Sequence, residues 1–234
     1  MMKPDPVRRL LLGALTALPV VGLPRLGAQA APIPLPPVTD LLTPIRFDVL
    51  RGSDSIGTHS VGFRRDGDDL IVDIDIALEV RFAFVTVYRY RHTNRETWRD
   101  GRLTGIDART DDDGDRFFVR AVSADGGLRI ESNDGTSMAP AETLSTSYWN
   151  ARTVRQSRLI DTQYGRLAAV TSTPAGARSV MTAAGPVQAE CWRVSGDLDL
   201  EVCYDAQGAW VGLDFEARGS RITYAHPAVS RTAG

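Results

Sequence analysis

Residues Val80 to Arg99 read VRFAFVTVYRYRHTNRETWR, and the fold follows from how that stretch alternates. In an extended chain successive side chains point to opposite sides. Phe82, Phe84, Tyr88, Tyr90, His92, Asn94, Glu96 and Trp98 therefore share one face, and Arg89, Arg91, Thr93, Arg95, Thr97 and Arg99 share the other. One side is aromatic and the other cationic. The stretch is expected to be a long strand whose aromatic face looks into the protein.

The same period continues outward in both directions. Asp-Gly pairs stand at Asp66-Gly67, Asp100-Gly101, Asp113-Gly114, Asp125-Gly126 and Asp134-Gly135, each between segments rich in Val, Ile, Phe, Tyr and Thr. Both residues tolerate the positive φ of a tight hairpin turn. With Asp66-Gly67 as the turn, Phe63 is expected opposite Leu70, Val61 opposite Val72, His59 opposite Ile74 and Arg64 opposite Asp69. Leu70, Val72, Ile74, Ile76 and Leu78 then form one apolar stripe at a spacing no helix would use. Strands are expected near 46–51, 56–65, 69–80, 85–99, 102–110, 116–123, 128–133, 166–173, 187–195, 199–206, 209–217 and 220–226, the last turning at Arg218-Gly219. Ala139 to Thr162 breaks the rhythm and reads as short helical turns capped by Ser145 or Ser147, a candidate cover.

The ends and the charge bound the class. Lys3, Arg8 and Arg9 precede an apolar run from Leu10 to Leu23 that ends near Ala28-Gln29-Ala30. That order reads as an export signal over 1–30, by the twin-arginine or the general route, and places the mature protein in the periplasm or outside the cell. The run is too short and too interrupted by Pro19 and Pro24 for a spanning helix. A proline-rich linker (31–45), one domain (46–226) and a disordered tail (227–234) follow. Removing 1–30 takes away four cations and one anion, leaving 23 Lys+Arg against 28 Asp+Glu and a net charge of -5. Nucleic acid is thus not an expected partner.

Two cysteines, Cys191 and Cys203, are expected to be paired in an exported chain. A hairpin closed around Asp197 sets Cys191 against Cys203, Trp192 against Val202, Arg193 against Glu201 and Val194 against Leu200. The cysteines would share the polar face with an Arg193–Glu201 ion pair, while Trp192, Val194, Leu198, Leu200, Val202 and Tyr204 point to the core. Opposed strand residues lie about 4.5–5.5 Å apart, within reach of a structural disulfide.

Chemistry-bearing motifs are sparse. Asp111-Asp112-Asp113-Gly114-Asp115 lacks the closing Glu of a calcium loop and reads as a solvated turn, with a weak cation site as the alternative. His92, Asn94 and Glu96 follow the aromatic residues on one face. They read as the point where the strand leaves the core and meets water, or as polar contacts for the head group of an amphiphile. An acid/base role for His92 and Glu96 lacks an activated nucleophile beside it. No nucleophile elbow, zinc or phosphate-loop motif is present, so neither an enzyme nor a cofactor is expected. Arg89, Arg91, Arg95 and Arg99 read as a solvated row balanced by Asp73, Asp75 and Glu79, with contact to an anionic membrane surface as the sharper reading.

Phe47-Asp48-Val49 through Ile56-Gly57-Thr58-His59, Val87-Tyr88-Arg89-Tyr90, Glu96-x-Trp98-Arg99-Asp100-Gly101-Arg102-Leu103, Thr110-Asp111-Asp112, Tyr148-Trp149-Asn150, Gly196-Asp197-Leu198-Asp199 and Tyr204-Asp205 together resemble a family of exported bacterial proteins known only as a domain of unknown function. That family is similar in turn to proteins whose fold resembles the lipoprotein localisation factors. The resemblance implies an all-β fold with minor α, in which a strongly curved antiparallel sheet forms an incompletely closed β-barrel with a short helical or irregular cover. It would make Phe82, Phe84, Tyr88, Tyr90 and Trp98 cavity-lining, with His92 and Glu96 beside them, and would make the segment around Trp149 the cover. The expected function is a periplasmic module binding a lipid or other apolar molecule. The alternative is a non-enzymatic envelope assembly or scaffold protein with a filled barrel. Nothing in the pattern sets an oligomeric state.

Overall fold

The computed structural model describes residues 43–227. The expected export signal and nearly all of the linker and of the tail lie outside the described residues. Alternating sequence becomes strand almost throughout: β1 Ile45–Arg51, β2 Asp54–Asp66, β3 Asp69–Phe82, β4 Val85–Arg99, β5 Arg102–Asp112, β6 Asp115–Ala124, β7 Gly127–Ser132 and β8 Gly135–Pro140. After the short β9 Leu144–Ser145 and β10 Arg158–Ile160 come β11 Leu167–Thr182, β12 Gly185–Gly196, β13 Leu200–Asp205, β14 Trp210–Ala217 and β15 Ser220–Ala225.

The strands form one sheet in the order β8 through β1, then β15 back to β9. Two meanders are therefore joined by the first and last strands, with Val49 opposite Tyr224. Every pairing is antiparallel except β9 with β10. No ladder joins the two edges, β8 and β9, so side chains close the seam. The Tyr164 ring meets Phe117 at 5.0 Å, Arg166 donates to Asp134 at 2.8 Å, and Gly165 leaves no room for a Cβ against Ser132. The fold is a strongly curved, incompletely closed β-barrel.

Asp100-Gly101, Asp113-Gly114, Asp125-Gly126 and Arg218-Gly219 all take positive φ at the expected turns. Two turns sit one residue off. Asp66 pairs with Asp69, so the loop is Gly67-Asp68 and Phe63 faces Val72, Val61 faces Ile74 and His59 faces Ile76. The register slips by two residues, which leaves every side chain on its expected face. The other turn is Asn133-Asp134, between β7 and β8. In the irregular region, a 3-10 turn spans Ala151–Arg155, and the side chain that caps it is Asn150 rather than Ser145 or Ser147.

The Val80–Arg99 stretch is not one strand. Ala83 takes φ 53° and, with Phe84, makes a two-residue turn between β3 and β4. Phe82 and Phe84 thereby leave the inner face for the hairpin tip, where Phe82 is 77% exposed and Phe84 fully so. No Asp-Gly marks this turn.

The cysteines are paired with Cα atoms 4.1 Å apart, in the expected register. Their surroundings differ from expectation. The long β11–β12 hairpin bends at a bulge between Pro174 and Gly176, and its Val180 and Val187 cover Cys191, Cys203 and Val211 in a small apolar cluster on the outer face. The expected Arg193–Glu201 pair is replaced: Arg193 meets Asp199 at 2.7 Å and Arg178 meets Glu201 at 3.1 Å. On the β3–β4 face the arginine row is balanced as expected, with Arg95 on Asp73 at 2.6 Å and Arg89 on Glu79 at 3.3 Å, while Arg99 takes Asp69 at 2.7 Å. Exposed pairs of this kind are screened by water and salt and add little to stability.

One end of the barrel is filled, and Glu96 organises it. Its side chain is fully buried in the row Phe63, Val72, Glu96, Ile106 that the ladders place side by side. Its carboxyl oxygens accept from Trp98 Nε1 at 2.9 Å, Trp149 Nε1 at 3.0 Å and Asn94 Nδ2 at 3.2 Å. Ser145 Oγ donates as well. Trp149 packs edge-on against Trp98 at 5.0 Å and Phe63 at 5.3 Å, so it plugs the barrel floor instead of covering a cavity. His92, Asn94 and Glu96 do not meet water, being 3%, 2% and 0% exposed. Replacing Glu96 by Ala would orphan three buried donors, on Asn94, Trp98 and Trp149, and leave Ser145 with Ser147 alone. Urea unfolding should show a loss on the order of 3 kcal/mol or more, with Glu96→Gln, which keeps one acceptor oxygen, losing less.

Candidate functional site

A single row across the sheet separates the filled end from an open one. Phe47, His59, Ile76, His92 and Thr110 stand opposite one another on five consecutive strands, β1 to β5. Beyond this belt, towards the β3–β4 tip, lies a cavity of about 430 Å³. Ile76, Leu78 and Val80 of β3 form one wall, and Leu213, Phe215 and Ala217 of β14 face them. Gly57, at φ 148°, breaks the alternation of β2, and Ile56 joins the wall beside His59. A Cβ on Gly57 would lie 1.9 Å from the Ala77 carbonyl oxygen, so the kink belongs to glycine alone.

The remaining side is polar and comes from β4 and the segment that follows β9. Tyr88 donates to Asp112 at 2.8 Å, Tyr90 to Gln163 at 3.1 Å, and Gln163 to Tyr164 at 2.9 Å. His92 has both ring nitrogens engaged, Nδ1 with Thr110 at 2.8 Å and Nε2 with Thr162 at 3.4 Å. Arg51 and Arg218 stand at the mouth, Arg218 lying 5.1 Å over the Tyr88 ring.

Of the residues expected to line a cavity, Tyr88, Tyr90 and His92 do so. Phe82 and Phe84 are on the tip, and Glu96, Trp98 and Trp149 are in the packed floor. His92 and Glu96 are not brought together: His92, in the belt, bonds Thr110 and Thr162, while Glu96, in the floor, bonds Asn94, Trp98, Ser145 and Trp149. The strand pattern did not single out His59, Tyr148, Leu198, Trp210 or Tyr224 as lining residues. Alternation marks the strand residues among them as inward but says nothing about which end of the barrel they reach. In the Asp111–Asp115 turn, Asp111 takes the Gly114 amide at 2.9 Å and Arg116 at 3.3 Å, and Asp112 takes Tyr88. Those carboxylates are used within the hairpin and its neighbours. The one close Cys/His/Asp/Glu trio among the described residues is Cys191, Glu201 and Cys203, whose sulfurs are in the disulfide.

Burial keeps the cavity histidines neutral. It pushes His59 down to about 3, with His92 nearby adding to the effect, and His92 down to about 4. Burial likewise holds the Tyr88 and Tyr90 hydroxyls above their usual range. Both histidines bind a proton more weakly folded than unfolded, so their contribution to stability is complete above pH ~6.5 and declines as the pH falls through the folded values. Between pH 7 and pH 5 the unfolding free energy should drop by roughly 2 kcal/mol per histidine. Denaturation of His92→Gln should show about half of the two-histidine slope.

No curated protein matches the chain. The fold is similar to the crystal structure of a beta-barrel-like protein of domain of unknown function DUF1849 from Brucella abortus. The two are 8% identical, with a TM-score of 0.53, over 79% of this chain and 95% of that one. The sequence signature of the domain of unknown function DUF6134 matches residues 47–226, and the chain belongs to that family.

Proposed function

We propose that the protein is a binding module of the periplasm or cell exterior that holds a lipid or other apolar molecule in the open half of its barrel. One observation carries this reading: a cavity of about 430 Å³ walled by aliphatic and aromatic side chains, within the ~300–1,000 Å³ usual for small-molecule sites. The filled-barrel alternative, an envelope scaffold, accounts for the floor around Glu96 but leaves this void without a purpose. A covered disulfide supports an oxidising compartment. We read the module as non-catalytic, since Glu96 is sealed from the cavity and the nitrogens of His92 are held by threonines.

The tip at the cavity mouth supports contact with a membrane surface. Phe82, Phe84, Val85 and Val87 are exposed there together, and Val87 continues into the cavity wall. Arg81 and Arg89 flank them and share Glu79 between them, which leaves one excess positive charge beside the apolar tip. Such a patch is suited to an anionic lipid interface.

Native mass spectrometry of the mature protein should show a retained apolar molecule, and an uncharged fluorescent probe such as N-phenyl-1-naphthylamine should bind and be displaced by it. Bare polypeptide with no probe binding would overturn the reading. Leu78→Trp, which fills the cavity from one wall, should weaken probe binding at least tenfold with the far-UV dichroism unchanged. Phe82→Ser with Phe84→Ser should reduce co-sedimentation with phosphatidylglycerol vesicles severalfold and leave probe binding as it was.

A further inference from the structure

Two phenol hydroxyls of this cavity are left without a partner. Tyr148 and Tyr224 line it, and no described residue hydrogen-bonds either hydroxyl. The ring nitrogens of His59 lack partners too, but they are sealed from the cavity surface, so a guest meets the phenols and not the imidazole. Tyr224 stands with Val49, Gly57, Leu78 and Tyr90 in the row next to the belt on its mouth side, and the two tyrosines bracket that row from β15 and β4. Tyr148 comes from the segment after β9. Its φ of 59° is one that residues with a side chain seldom adopt, and it is held there from both sides: the Tyr204 hydroxyl donates to the Tyr148 carbonyl at 2.8 Å, and the Trp149 indole donates to Glu96 at 3.0 Å. Trp149 thus enters the floor while Tyr148 stays on the cavity. Both tyrosines lie beside one indole, their ring centroids 6.2 and 5.9 Å from that of Trp210.

What these hydroxyls would take follows from their surroundings. Burial holds both above the usual phenol range, so each keeps its proton and donates. Tyr224 adds to that effect on Tyr148 and on Tyr90, as groups within electrostatic reach of one another do. Tyr90 spends its own proton on Gln163 at 3.1 Å, which leaves two donors and no acceptor for them. The carboxylate that lines the cavity, Asp161, accepts the amides of Gln163 at 2.8 Å and Tyr164 at 3.2 Å, and its charge bears on Tyr90 and Tyr148. An anionic group beside these phenols would be repelled, since the lining cations, Arg51 and Arg218, are exposed at the mouth. A cationic group would leave both phenol protons unmet. A carbonyl oxygen has two lone pairs, brings no proton of its own and carries no charge to desolvate.

Building on the reading of the cavity as an apolar-ligand site, we propose that its ligand carries an uncharged carbonyl group, as in a long-chain ketone or ester, which accepts hydrogen bonds from Tyr148 and Tyr224 beside the belt. The carbonyl end enters first. Its hydrocarbon chain fills the space between β3 and β14 towards the mouth. The two phenols set the class of ligand, and the aliphatic walls supply most of the affinity.

The test uses the mature protein with N-phenyl-1-naphthylamine bound and compares undecan-2-one with 2-methylundec-1-ene, in which a methylene group replaces the carbonyl oxygen. Tyr148→Phe combined with Tyr224→Phe, which keeps both rings, should raise the ketone concentration needed to displace the probe at least tenfold and leave that of the alkene unchanged. In parallel, infrared spectra of undecan-2-one with the wild type in excess should place its carbonyl stretch where a hydrogen-bonded ketone absorbs, below its position in alkane solvent. That readout does not depend on the variant folding. A carbonyl band at the alkane position, an equal change for ketone and alkene in the variant, or stronger displacement by decanoate than by the ketone, with the probe still bound by the wild type, would overturn the carbonyl and leave the apolar cavity standing. Failure of the probe to bind the wild type would sink both.

Discussion

The buried carboxyl group of Glu96 is the constraint on which the rest of the barrel depends. A carboxyl inside an apolar core is tolerated only when its oxygens are satisfied, and here they are met by two indole N–H groups, an amide and a hydroxyl. Two of those donors, Trp149 and Ser145, belong to the segment that crosses from one sheet edge to the other. Hydrogen bonds between strands cannot close this sheet, because its edges never pair. Glu96 does part of that work from within by tying the crossing segment to the C-terminal part of β4.

Filling one end leaves the other to the belt. Small barrels usually pack their interiors with side chains, and this one does so up to Phe47, His59, Ile76, His92 and Thr110. Beyond that row most side chains are aliphatic or engaged with one another, and the cover segment contributes Thr146, Thr162 and Gln163 to one flank of the cavity without filling it. The outer face is stabilised differently. Arginine–carboxylate pairs run along β3 and β4, and the folded-over β11–β12 hairpin shields the disulfide on the far side, so neither feature competes for the interior.

Much of this was legible in the residues. The alternation from Tyr88 to Trp98 places the inward face, the Asp-Gly pairs mark most hairpins of the first meander, and the Cys191–Cys203 register follows from its own turn. The readings that failed did so for local or distant reasons. Phe82 and Phe84 read as inward because a turn at Ala83-Phe84 carries no turn chemistry. Trp149 reads as a cover because its partners, Glu96, Trp98 and Phe63, lie more than fifty positions away.

By itself, then, the chain determined which side chains share a face of a strand, since a period of two is a property of neighbouring residues and needs no knowledge of what lies opposite. Which inward residues become packed floor and which become cavity wall was decided only by the tertiary structure. That division depends on where the second meander and the 144–150 segment come to rest against β4. Their contacts join residues far apart in sequence, and space, unlike alternation, leaves no mark in the order of the letters.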